Sequence, residues 1–176
     1  MAIIYNLYLE QLKDRYCRFH DVKEQPPGLP VNLDLYAHFC QTNQKYFATK
    51  KINLWRLDNE EHCLVKWFEE IDKSAIAQMT NLLQEAVAYL VNPHPDHMKT
   101  VITGVMLTTK PLDAELKPLI EKYNYKKVFK MYLCGWAEAR LVVLDLSSKQ
   151  VLCNPTGKEV KKFYEGLFAD DNHRKK

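Results

Sequence analysis

The stretch Val101-Ile102-Thr103-Gly104-Val105-Met106-Leu107 decides the reading of this chain. It is apolar at odd and even positions alike, with β-branched residues and no charge, which is the pattern of a central strand covered on both faces. Such a strand needs layers above and below it, and the flanking sequence supplies them. Upstream, Ile76, Met79, Leu83, Ala86 and Leu90 recur at helical spacing, behind Asp72 or Ser74 as a cap and ahead of a stop at Asn92-Pro93. Downstream, Asp113 caps a third helix running through Tyr123, with Pro118 near its start. Val128 to Leu133 and Arg140 to Leu146 read as strands around Gly135, and Gln150 to Cys153 as a short strand after Ser147-Ser148-Lys149. Strand, helix, strand in this order implies a parallel pair with a right-handed crossover.

Further out, Tyr5, Leu9, Leu12, Tyr16 and Phe19 mark a first helix that ends at Gln25-Pro26-Pro27-Gly28-Leu29-Pro30. Three strand-like runs follow: Leu33 to Phe39, Tyr46 to Leu57, and Cys63 to Phe68. Gln41-Thr42-Asn43-Gln44 and Asp58-Asn59-Glu60 suit hairpin turns between them, which predicts an antiparallel three-strand meander. Thr156-Gly157-Lys158-Glu159 has capping-box spacing ahead of Val160, Phe163, Tyr164 and Leu167, so a last helix packs on the domain. The expectation is a single α/β (α+β) domain over residues 1–169, a mixed sheet covered by helices, with a flexible basic tail at 170–176.

Composition narrows the function classes. The 176 residues carry 25 Lys and Arg against 22 Asp and Glu, and the whole surplus of +3 is accounted for by Arg174, Lys175 and Lys176. A chain that neutralises many phosphates usually carries a larger basic excess, so nucleic acid is a less favoured partner. The 5 cysteines are scattered without a Cys-x-x-Cys pair, which fits reduced thiols in the cytoplasm. No run approaches the roughly 20 apolar residues of a membrane span. With 5 glycines and no glycine-rich phosphate loop or Gly-x-Ser-x-Gly, nucleotide cradles and serine nucleophile elbows are excluded.

Two constellations carry chemistry. Pro93-His94-Pro95-Asp96-His97 places two imidazoles and a carboxylate in the turn that feeds the central strand. His and Asp are ligands for zinc or a similar divalent ion, and Asp34 and His38, on the polar face of the first strand, are the candidates to complete the set. A proline-shaped turn in which Asp96 and His97 bond backbone accounts for the same residues. The second is Trp136, Glu138 and Arg140, which strand alternation puts on one side, where they could bind a polar ligand or form an ion pair beside a core tryptophan. Lysines interleave with aromatics at Lys45, Tyr46, Phe47, Lys50 and Lys51 and at Tyr125, Lys126, Lys127, Phe129 and Lys130, as at a nucleic-acid surface or a lysine-guarded strand edge.

The order helix, three antiparallel strands, helix, strand, helix, strand resembles the core of the PD-(D/E)xK nuclease-like superfamily, with Ile102 to Lys110 and the following helix similar to its strand-helix unit. The resemblance implies magnesium held by an acid, which Asp34 would match, and by an acid-x-Lys on the next strand. In this chain acid-x-Lys occurs at Asp21 to Lys23, Glu115 to Lys117 and Glu159 to Lys161, all outside the expected strands, and Lys66 is preceded at two positions by Leu64. Leu33 to Ala37 and Tyr46 to Lys51, with Pro93-His94 and Thr103-Gly104, also resemble small bacterial proteins of uncharacterised families. Two functions follow. One is a cytosolic, non-catalytic or degenerate-site domain that binds a ligand or partner; the other is a metal-dependent phosphodiesterase or nuclease-like enzyme in which Asp34, His94, Asp96 and His97 converge.

Overall fold

A computed structural model describes residues 2–46 and 53–170, with side chains over 5–42 and 58–168. The deciding stretch lies in β4, His97–Thr108, where every residue from Thr100 onward is buried. Helix α2, Lys73–Leu90, starts where Asp72 accepts a hydrogen bond from the Ala75 amide at 2.7 Å, and lays Ile76, Met79, Leu83, Ala86 and Val87 on the sheet. Gly104 permits the close approach, because a Cβ there would stand 2.9 Å from the Leu83 side chain. Burying a side chain the size of Leu83 contributes roughly 2 kcal/mol, so the helical stripe fixes which face of β4 it covers.

The other strands are β1 Asp21–Lys23, β2 Leu35–Tyr46, β3 Asn53–Trp67, β5 Lys126–Val128, β6 Trp136–Asp145 and β7 Gln150–Cys153. They form one mixed sheet in the order β1-β2-β3-β4-β6-β5, with β7 beside β6 off that path. β3, β4 and β6 are parallel and the remaining pairs antiparallel. Helix α2 and α3, Lys117–Lys122, pack on one face with Tyr36, Leu64, Ile102 and Leu141. Helix α1, Ala2–Tyr16, and α4, Lys161–Asp170, cover the other with Val65, Val105, Val142 and Leu144. The result is the expected single α/β domain.

Three differences from the sequence reading matter. The antiparallel meander is real, but it consists of β1, β2 and β3. Residues 41–44 and 58–60, expected as turns, lie inside two long strands, and part of the expected strand Tyr46 to Leu57 falls at 47–52, outside the described residues. Cys40, Gln41 and Thr42 are exposed, so no apolar alternation marks this part of β2. The expected strand Val128 to Leu133 stops at Val128; Lys130, Met131 and Tyr132 turn with positive φ of 46°, 50° and 70°, leaving Met131 and Leu133 exposed. Gly135 closes that turn at φ +69°, where a Cβ would sit 2.2 Å from the Met98 carbonyl oxygen. The expected tail beyond residue 170 lies outside the described residues.

Candidate metal centre

Strands β2 and β3 pair with His38 opposite His62, Cys40 opposite Glu60 and Thr42 opposite Asp58. Alternation by two puts all six side chains on the face that α2 partly covers. Among the described residues, His38, Glu60 and His62 are the one group of three or more His, Cys, Asp or Glu whose ligand atoms all lie within 4.8 Å of one another. The imidazoles of His38 and His62 stack with ring centres 4.6 Å apart. The Tyr36 hydroxyl lies 2.7 Å from His62 Nδ1 and fixes the ring. His62 Nε2 is thereby aimed at Glu60 Oε2, 3.5 Å away, yet it is buried and makes no hydrogen bond. An imidazole nitrogen left so is costly unless something else occupies it.

The electrostatics keep two of the three groups, Glu60 and His38, in ligand form. The polar contact with His62 is the largest influence on the Glu60 carboxyl and, with the charges of His62, His38 and His97, holds it below the usual carboxylate range against the opposing effect of burial. Burial, then the neighbouring His62, lowers the pKa of His38, so its ring is neutral at pH 7. A neutral imidazole and an ionised carboxylate suit zinc, iron or a similar ion, and a ring held at its second nitrogen, as His62 is by Tyr36, is the usual support for a ligating histidine.

The expected site residues are distributed otherwise. His94 Nε2 stands 3.6 Å from Asp58 Oδ2, and the other Asp58 oxygen accepts from Thr42 Oγ1 at 2.7 Å. Both ring nitrogens of His97 are engaged, Nδ1 with the Cys134 carbonyl at 2.6 Å and Nε2 with Thr100 Oγ1 at 2.9 Å. Asp96 accepts the Asp58 amide through its own carbonyl. Asp34 lies beyond the opposite end of β2, beside Val65, accepting from the Tyr5 hydroxyl at 2.7 Å and the Trp67 amide at 2.6 Å. The separation along β3 from Val65 to Asp58 is on the order of 20 Å at strand rise. His38 is the one residue named from sequence that belongs to the cluster. Glu60 and His62 were missed, and the signal that finds them is a Glu-x-His alternation facing His38 once the hairpin is aligned.

Trp136, Glu138 and Arg140 belong elsewhere. Arg140 is buried between Glu61 at 2.9 Å and Glu159 at 2.5 Å, Glu138 pairs with Lys99 at 2.7 Å, and Trp136 packs edge-on to Tyr132. Lys126 lies over the rings of Tyr132 and Trp136, and Lys127 over Phe129. The side chains of the other lysine cluster, at 45, 50 and 51, lie outside the described residues.

A family model described as a domain of unknown function, DUF8052, matches residues 5–166. The chain belongs to this family. The match takes in every strand, α2 and α3, and most of α1 and α4, so the paired strands bearing His38, Glu60 and His62 are part of the DUF8052 domain proper. Comparison with curated proteins and with solved structures finds no match. Among the described residues of this DUF8052 chain, no helix is long and apolar enough to cross a membrane.

Proposed function

We propose that this DUF8052 domain is a metal-dependent hydrolytic enzyme acting on a phosphodiester, with one divalent transition ion held by His38, Glu60 and His62. One observation carries the reading: the buried His62 Nε2 has its ring locked by Tyr36, points at a carboxylate and has no hydrogen-bond partner. Two imidazoles and a carboxylate favour zinc, iron or manganese over the magnesium of the nuclease-like superfamily that the element order resembles. Three protein ligands leave a position open, and an ion bound there would lower the pKa of a coordinated water and polarise a phosphoryl oxygen. The chain's own contribution is to hold the donors on adjacent strands and to supply, from the Asp58–His94 pair on the same face, a group able to carry a proton.

The test is thermal and chemical denaturation of chelator-stripped protein titrated with zinc or manganese. Wild type gains stability, about 2.7 kcal/mol at a free ion concentration of 100 times Kd, whereas Glu60→Gln and His62→Ala gain none. No gain in wild type, or an equal gain in Glu60→Gln, refutes the site. Hydrolysis of bis(p-nitrophenyl) phosphate by the loaded protein then tests the activity; an ion retained without turnover returns the domain to the non-catalytic, ligand-binding reading.

A further inference from the structure

In the turn that follows the edge strand β5, Met131 is 88% exposed and Leu133 74%, with Tyr132 between them more than half exposed. The neck of this turn is fixed. The Phe129 amide donates to the Gly135 carbonyl at 3.0 Å, Phe129 packs on the core, and the Cys134 carbonyl meets His97 Nδ1 at 2.6 Å. At the tip, Lys130, Met131 and Tyr132 hold positive φ in succession, a conformation that each adopts against its preference. The domain thus accepts backbone strain and keeps two aliphatic side chains in water, as a contact site for something outside the chain requires.

Charge identifies the occupant. Residues 122–137 contain four lysines and no Asp or Glu, although the chain as a whole is nearly balanced. Among the described residues none of these lysines has a carboxylate partner. Lys126 instead lies over the rings of Tyr132 and Trp136, 5.2 and 5.0 Å from their centres, and Lys127 over Phe129 at 5.7 Å. With these aromatic faces taken, nucleic-acid bases find no platform to stack on, and the outermost side chains are aliphatic. A second copy of the chain would set lysines against lysines. An apolar tip ringed by lysines, with tyrosine and tryptophan behind it, matches the boundary of a bilayer with anionic headgroups.

We propose that the segment 126–136 is an interfacial membrane anchor, in which Met131 and Leu133 enter the acyl region while Lys126, Lys127 and Lys130 lie against anionic headgroups. The domain then rests on the surface and needs no spanning helix. The anchor stands apart from the His38–Glu60–His62 reading, and either can fail without the other.

The test is co-sedimentation of the full chain with vesicles of phosphatidylcholine, alone or mixed with phosphatidylglycerol. Wild type pellets with the mixed vesicles at low salt, is released at high salt, and binds phosphatidylcholine alone far more weakly. The double variant Met131→Ser/Leu133→Ser, at exposed positions, binds at least about tenfold more weakly. Lys127→Gln/Lys130→Gln binds about 25-fold more weakly, at roughly fivefold per lysine. Leu133→Trp adds a blue-shifted emission on the mixed vesicles that brominated acyl chains quench. No binding of wild type to the mixed vesicles overturns the anchor, as does binding that either double variant retains in full or an unshifted Leu133→Trp emission on bound protein. Capture of a single-stranded oligonucleotide in place of vesicles, lost in the lysine variant, overturns it in favour of nucleic acid. Dimerisation lost in Met131→Ser/Leu133→Ser, without vesicle binding, overturns it in favour of a second copy.

Discussion

Glu60 and Glu61 are neighbours on β3, and their side chains leave the sheet on opposite faces. Their exposures are close, 29% and 25%, yet their surroundings differ in kind. Glu61 accepts from Arg140 and from Thr103, and Arg140 is held on its far side by Glu159. Glu60 meets the His62 imidazole at 3.5 Å, His38 beside it and the Cys40 thiol at 4.0 Å, none of them a permanent cation. A carboxylate that already owns a permanent cation is part of the architecture. One beside titratable rings could hold a cation that comes from outside, the role proposed for Glu60.

The largest test of this contrast is Arg140→Met. It leaves Glu61 without its cation and should cost about 2–3 kcal/mol in urea denaturation, somewhat under the loss for a fully buried pair because Glu61 is partly solvated. In stripped protein, Glu60→Gln should change stability by less than about 1 kcal/mol, having no permanent partner to lose. Equal losses in the two variants would break the comparison. Smaller is Glu159→Gln: this carboxylate is 62% exposed, and its removal should cost under about 1 kcal/mol, since Glu61 still holds Arg140. A loss as large as that of Arg140→Met would make the outer carboxylate, and not Glu61, the true counterion.

The smallest effect concerns pH. His20 packs against Tyr16 and Phe39 near Glu61, and burial lowers its pKa below the ordinary 6.5. The unfolded chain then takes up the proton before the folded one does. Stability falls as pH drops below about 6.5, levels off beneath the folded-state value and is unaffected above it. Urea midpoints at pH 7.5 and pH 5 should therefore draw closer together in His20→Phe than in wild type, and an unchanged gap would assign the acid sensitivity to other groups.

How legible each region was follows the same division between interior and rim. β4 and α2 were readable because burial on every side writes itself as an apolar run or a helical stripe, and β7 was found at its observed bounds, Gln150–Cys153. The hairpin of β2 and β3 was not. Where both faces of a strand are polar, alternation vanishes, so Asp58-Asn59-Glu60 reads as a turn although backbone pairing holds it extended. Glu60 was lost with that misreading. His38 survived because it alternates with Leu35 and Ala37, which anchor the buried end of the same strand. The left-handed turn at 130–132 has no local signal at all, since Lys, Met and Tyr rarely adopt that conformation.

In open α/β sheets the usual place for a ligand is beyond the carboxyl ends of the parallel strands, among the loops that lead into the crossover helices. Here Glu60 and His62 stand near the amino end of the parallel stretch of β3, which pairs with β4 from Asp58 to Trp67. The segments at 69–72 and 109–113 that feed the crossovers are at the far end. Every donor, and the tyrosine that steadies one of them, comes from the contiguous stretch 36–62. The centre is therefore a portable cassette: insertions in the crossover loops leave it intact, and a relative could acquire or discard it by exchanging one ribbon.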